Sequence, residues 1–483
     1  MPSAATAEAR GWIGPAASVV ALVTLYRLVL LAFNATDLFV DESQYWLWGQ
    51  RLDFGYYSKP PLIAWVIRLV TELAGSDAPF WVRMPGALFH AATAMILGAL
   101  GARLWGGRSG FWVAIAYVTL PFVAVGSLLI STDTILAPFF AAALLFWVRA
   151  LGERRLAFAL AAGAMAGAAC MAKYAGVYFL LGAVLAAVVA RDWRAGWRYW
   201  ALMLTGFAVV MAPNILWNLS HDLTTVEHTM DNVGWVREQS VFASLNPAGL
   251  LEFFSAQFAV FGPVFFAVLL GLVLRPGGSR GRGLLAFALP VLMIVCVQAL
   301  MNKAYANWAV TSYFAGTALV VGTLRAHPGW LRAGVVINVV IALILPLLTI
   351  LPGLERNGKP LLARYLGRVA LSEEIIALAQ REGGLPILAE NRDVLADLFH
   401  TGADSGLRFY APAPQGRAHN YYEQNFALPV QETGPLLLVR EAAPVCNGVP
   451  LPPLEVLDTA KGAFANHPMN VYRIDAGCAY ALR

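Results

Sequence analysis

Asp41 and Glu42 stand side by side in VDESQYWLWG, directly after a long apolar run. Acidic groups at a membrane face are costly to bury and are functional candidates by default. A carboxylate near the interface can act as general base and take a proton from an attacking hydroxyl. The same residues can instead start a helix, with Asp41 as N-cap and Gln44 at the third helical position. Spacing alone leaves both readings open. Lys59 follows in YYSKPPL, ahead of a Pro-Pro pair that holds the backbone extended. A lysine on so rigid a segment can neutralise a phosphate as a point charge, or it can snorkel to lipid head groups. Asp133 in STDTILAP is either another chemically used carboxylate or part of a helix start with Ser131 and Thr132. Tyr57, Arg83, Lys173 and Tyr174 in AKYAG, His228, and Lys303, Tyr305 and Asn307 in NKAYANW complete the set of polar candidates. Each can contact a charged head group. None is diagnostic alone, and a lone histidine such as His228 is commonly structural.

The elements that must position these residues are apolar. Of 483 residues, 59% are hydrophobic and 13% charged, where a soluble domain carries about a quarter charged residues. Long uncharged runs match the roughly 17–25 residues that a bilayer-spanning helix needs. The pattern predicts about eleven spans, over 15–33, 84–104, 110–130, 132–151, 156–171, 175–190, 199–217, 250–274, 284–301, 308–324 and 331–351. With the N-terminus in the cytoplasm, the cytoplasmic connections are 103–108, 149–155, 191–198, 275–282 and 325–332, each bounded by arginine. Asp41, Glu42, Asp133, Asp222, Glu227 and Asp231 fall on the opposite side, as the positive-inside rule requires. The net charge of +5 is therefore read as topology, not as a nucleic-acid footprint. Arg10 precedes the first run, which is long enough to remain as a span and not be a cleaved signal. Arg27 inside that span is expected to snorkel or to pair within the bundle.

Two outward connections are long. The loop 34–83 holds ESQYWLWGQRL and PPLIAWVIRLV, which read as amphipathic helices at the interface. The connection 218–246 is polar and reads as a mobile loop. After residue 351 charged residues return, and strand-length runs such as LPILA and GPLLLVR alternate with helix-like SEEIIALAQREG. Residues 1–351 are thus expected to form a membrane domain and 352–483 a soluble α/β domain outside the membrane. Cys446 and Cys478 lie in that second region. They form a disulfide if its compartment is oxidising, or remain two thiols. Cys170 and Cys296 lie in apolar segments, and the four cysteines show no metal-binding spacing.

No P-loop, dinucleotide fingerprint or metalloprotease motif is present. A membrane enzyme without a nucleotide site needs an activated substrate delivered in lipid, and a polyprenyl-phosphate sugar meets that need. DES from Asp41, SKPP at 58–61, WVRMPGAL at 81–88, STDT at 131–134 and AKYAG at 172–176 together resemble the protein mannosyltransferase and aminoarabinose-transferase branch of the GT-C glycosyltransferases. NKAYANWA, from Asn302, is similar to a later segment of bacterial members. The resemblance implies a polytopic α-helical GT-C fold and an inverting transfer from a polyprenyl-phosphate sugar to a lipid, glycan or protein. It implies Asp41 as the acceptor-activating base, with Glu42 assisting or structural. Lys59 and Arg83 would neutralise the donor phosphate, and Asp133 would order the site. It implies a bacterial inner-membrane enzyme, its site and C-terminal domain periplasmic, with membrane lipids as neighbours and no nucleic acid partner. Ser58 stands where aminoarabinose transferases carry an acidic residue, and Gln44 where they carry arginine. These departures argue against a metal at that position and against aminoarabinose as the sugar. No cofactor is firmly implied, and a divalent metal stays open. A transporter or flippase is the alternative, but the internal repeats and broken helices common in transporters are not seen in the sequence. A noncatalytic scaffold would leave Asp41, Lys59 and Asp133 without a common purpose.

Overall fold

In lipid the backbone has no partner but itself, so long apolar runs fold as helices. The computed structural model describes residues 11–232, 245–459, 461–465 and 467–482. Arg10 and residues 233–244 of the second long connection lie outside them, as does the side chain of Asp231. Each of the eleven expected segments is helical over most of its length. The count of spans is lower. Among the described residues six helices are long and apolar enough to cross a membrane: Ile13–Ala32, Pro79–Trp105, Thr132–Glu153, Trp197–Ser220, Gly278–Met301 and Pro328–Ile350. A seventh arises if Pro247–Phe261 and Pro263–Leu274 count as one span bent by 117°. Leu156–Ala172, Tyr174–Val189 and Ser312–Leu324 are shorter apolar helices.

The breaks have local causes. Gly262 joins the bent pair at φ 89°, and a Cβ there would collide with Asn338. Pro263 then restarts the helix at its first turn, where a missing N–H costs nothing. The expectation of unbroken spans thus fails at Gly262-Pro263. Pro121 acts alike between Gly107–Val118 and Pro121–Gly126. The carbonyl of Val118, at the end of its helix, accepts from Arg27 Nη2 at 2.6 Å, and Ser127 Oγ accepts from Nη1 at 3.2 Å. Arg27 therefore pairs within the bundle and does not snorkel.

Contacts divide the chain into two units. One comprises Met1–Ala32, Asp53–Val66 and Arg83–Leu347; the other comprises Phe33–Leu52, Ile67–Val82 and Leu348–Arg483. In the first, Gly163 and Gly167 let the helix Leu156–Ala172 meet the backbone of Met203 and Phe207 on Trp197–Ser220. Glycines four apart are how apolar helices approach closely in a membrane. At one end of this bundle Arg103 and Arg149 both pair with Glu153, at 3.7 and 3.0 Å. Arg280 donates to Leu104 O at 2.8 Å, and Arg282 to Val189 O at 3.1 Å. The arginine-bounded connections around 103, 149 and 280 are thus gathered at one end, as their alternation along the chain predicts.

The second unit holds a five-stranded sheet, ordered Phe409–Tyr410, Ile387–Ala389, Pro435–Arg440, Asn470–Asp475, Glu455–Val456. Ile387–Ala389 is parallel to both neighbours, whereas Asn470–Asp475 is antiparallel to both of its own. Leu388, Leu436, Leu438, Tyr472 and Ile474 form its core. Cys446 and Cys478 are disulfide-bonded, with Cα atoms 5.5 Å apart. The helix Arg392–Thr401 packs on Val40–Gly49. The expected helices of the first long loop are present as Val40–Gly49 and Leu62–Ala74. That loop contributes residues to both units.

Candidate active site

Asp133 lies in the first turn of Thr132–Glu153, but the capping falls to Ser131, whose hydroxyl accepts from Thr134 N at 3.3 Å. The Asp133 carboxylate is left for other partners. Lys173 Nζ donates to it at 2.7 Å and Asn307 Nδ2 at 2.8 Å. Lys173 terminates Leu156–Ala172, and Asn307 lies in the short 3-10 turn Ala306–Ala309. Three connections expected on one face therefore meet at Asp133. Lys303 lies over the Tyr305 ring at 4.7 Å. This pair is a neighbour of Asn307 in sequence.

Lys59 sits in a loop fixed from several sides. Tyr56 N donates to Lys59 O at 3.2 Å, and Asp53 N to the Tyr56 hydroxyl at 3.1 Å. Asn214 Nδ2 donates to Phe54 O at 2.7 Å, and the Thr225 hydroxyl to Tyr56 O at 2.7 Å. Gly55 lets the loop lie on the Trp217 ring, where a Cβ would clash. The Tyr174 hydroxyl donates to Asn214 Oδ1 at 3.0 Å and accepts from Asn218 Nδ2 at 3.1 Å. Tyr174 is thus one step behind the lysine loop, through Asn214. His228 packs its ring on Tyr57 at 4.8 Å between centroids. Arg83 is fully buried near the start of Pro79–Trp105.

In the other unit, Val40–Gly49 begins after Phe39, and Glu42 Oε2 accepts from Phe39 N at 2.8 Å. Glu42 is buried. The capping that sequence offered to Asp41 is done by Glu42, one position on. The Asp41 carboxylate is half-exposed and accepts from Arg392 Nη2 at 2.6 Å. Gln44 Oε1 accepts from the same guanidinium, from Nε at 3.1 Å and Nη2 at 2.9 Å. Burial pulls the Arg392 pKa down, but the Asp41 charge and hydrogen bond outweigh it and hold it above the usual value. The Tyr422 hydroxyl is buried with no hydrogen-bond partner among the described residues, and burial keeps its pKa well above the usual range, with Arg392 opposing. It stays an O–H donor. Among the described residues, no three His, Cys, Asp or Glu side chains are grouped to hold a metal ion.

Residues 58–217 match the family described as dolichyl-phosphate-mannose-protein mannosyltransferase. Lipid A galacturonosyltransferase RgtD of Rhizobium johnstonii is 42% identical over 462 residues, covering 94% of this chain and 97% of that protein. The chain belongs to this glycosyltransferase family. The fold agrees. ArnT from Cupriavidus metallidurans bound to undecaprenyl phosphate superposes with a TM-score of 0.61 at 16% identity, over 97% of this chain and 99% of the other. Its apo state gives 0.60 at 15% identity, over 99% of both chains. The transferase is thus a membrane enzyme with a GT-C fold, and the transporter alternative is set aside. Arg392 and Tyr422 escaped the sequence reading. Arg392 lies 351 positions after Asp41. Its only local sign is a helix start, where Asn391 Oδ1 accepts from Asp393 N at 2.7 Å.

Proposed function

We propose that the transferase moves galacturonic acid from a polyprenyl-phosphate carrier to a lipid A acceptor, on the periplasmic face of a bacterial inner membrane. Similarity to RgtD over nearly the whole chain supports the sugar and the acceptor. The ArnT fold, known with undecaprenyl phosphate bound, supports the carrier. The observation that carries the chemistry is the half-exposed Asp41 carboxylate, relieved of capping by Glu42.

Asp41 takes the proton of the acceptor hydroxyl as its oxygen attacks the anomeric carbon. The bond from that carbon to the phosphate oxygen breaks, its electron pair leaves with the polyprenyl phosphate, and the anomeric configuration inverts. Charge grows on the leaving phosphate, and fixed cations lower the cost of that growth. Lys59, on its braced loop, and Arg83 take this role. Asp133, Lys173 and Asn307 hold three connections of the bundle in register, and Tyr57, Tyr174 and His228 brace the lysine loop. Lys303 and Tyr305 are available to an acceptor head group. Arginine-rich connections face the cytoplasm, and the disulfide-bonded unit lies in the oxidising periplasm.

The test is label transfer by the full chain in lipid, from polyprenyl-phosphate galacturonate to lipid A. Asp41→Asn should lower kcat by about 10²–10⁴-fold, with its thermal midpoint unchanged. Lys59→Ala should fall mainly in the same step. Unchanged transfer by folded Asp41→Asn would overturn the assignment of the base.

A further inference from the structure

Arg392 is oriented on two sides and open on a third. Nη2 serves Asp41 and Gln44, and Nε serves Gln44. Nη1 makes no hydrogen bond to the described residues. The side chain as a whole is 37% exposed. An ion pair so exposed adds little stability by itself, which leaves its orientation by two acceptors unexplained. A second observation lies beside it. The Tyr422 hydroxyl is fully buried without a partner among the described residues and feels the charges of both Arg392 and Asp41. A buried O–H with nothing to bond to calls for a water or a ligand oxygen.

We propose that Arg392 binds the carboxylate of the donor sugar and so selects uronyl over neutral hexosyl donors. The assignment rests on the transferase reading above. A guanidinium fork matches carboxylate oxygens in plane and remains charged at any working pH. A neutral hexose presents a hydroxymethyl group where a uronic acid presents its carboxylate, and it offers the fork no charge. Arg392 also resolves a conflict that a uronyl donor creates. The sugar carboxylate beside Asp41 would repel it. A cation shared between the two carboxylates offsets that repulsion.

The experiment compares kcat/KM of the full-length protein in lipid for polyprenyl-phosphate galacturonate and polyprenyl-phosphate galactose, with one acceptor. Parent, Arg392→Ala and Arg392→Lys are measured alongside their thermal midpoints. The parent should prefer the uronyl donor. Arg392→Ala should shrink that preference about 10- to 100-fold, the loss of one charge-assisted contact, chiefly through KM. Arg392→Lys should recover part of it, because charge survives and the fork does not. A parallel fall with both donors would overturn the proposal and leave Arg392 as a positioning residue for Asp41. An unchanged preference would overturn it as well. Should Arg392→Ala not fold, the preference measured for Arg392→Lys decides between the same outcomes. If the folded parent turns over neither donor, the transferase reading itself fails and takes this assignment with it.

Discussion

Two adjacent carboxylates have been separated by their surroundings. Glu42 is buried and bonded to a backbone N–H, whereas Asp41 is half-exposed and bonded to a guanidinium. Glu42→Ala should therefore lower unfolding stability by about 1–2 kcal/mol, the usual cost of a lost helix cap. Asp41→Asn should leave the thermal midpoint alone and stop transfer. The two phenotypes are opposite, and a melting curve beside an activity assay separates them. Asp133 and Lys173 face each other with 13% and 20% of their side chains exposed. Replacing each by alanine singly and together should reveal a coupling on the order of 1–2 kcal/mol in a double-mutant cycle. Independent effects would mean that the pair does not hold the connections together.

At the scale of elements, Arg368 links three segments of its unit. Its N–H donates to Asp37 Oδ2 at 2.8 Å, and its guanidinium to Asp397 at 3.0 Å and Asp393 at 3.3 Å. Burial pushes the Asp397 carboxyl from 3.8 up to about 7, with Arg368 pulling the other way. A folded-state value above the unfolded one means that the folded chain holds the extra proton between the two. The associated stability is full below the unfolded value and is lost as pH rises through about 7. The thermal midpoint should fall between about pH 4 and 7, and Asp397→Asn should flatten that slope. The disulfide closes a separation of 32 residues. Replacing Cys446 and Cys478 by serine should cost about 3.5 kcal/mol, if the open loop frees the unfolded chain alone. Much of this level was legible. Apolar runs gave the helices because their signal is local, and LPILA and GPLLLVR overlap the strands Ile387–Ala389 and Pro435–Arg440. The break at Gly262-Pro263 was also local, but hydropathy averages through a Gly-Pro step and reports one span.

At the scale of the whole molecule, the arginine alternation told which connections share an end, and the arginine contacts with Glu153 and Leu104 agree. The partner of Asp41 was out of reach, because no periodicity links positions on opposite sides of the membrane-embedded chain in sequence. The same separation predicts what truncation does. A chain ending at residue 351 deprives Val40–Gly49 of the helix Arg392–Thr401 that packs on it. Trp46, Leu47 and Trp48, all buried in the full chain, lose part of their cover. Such a chain should aggregate on extraction and transfer no sugar, as gel filtration and label transfer would report. Its recovery as an active monomer would contradict the assignment of both segments to one unit.

The Asp41–Arg392 contact also has a place in time. Its two residues are made 351 positions apart. At about 5–20 residues per second, the arginine is synthesised about 20–70 s after the aspartate. Throughout that interval the nascent membrane chain already carries its acid, but not the cation that balances it. A product interrupted before residue 392 therefore lacks the guanidinium that Asp41 and Gln44 share in the folded chain.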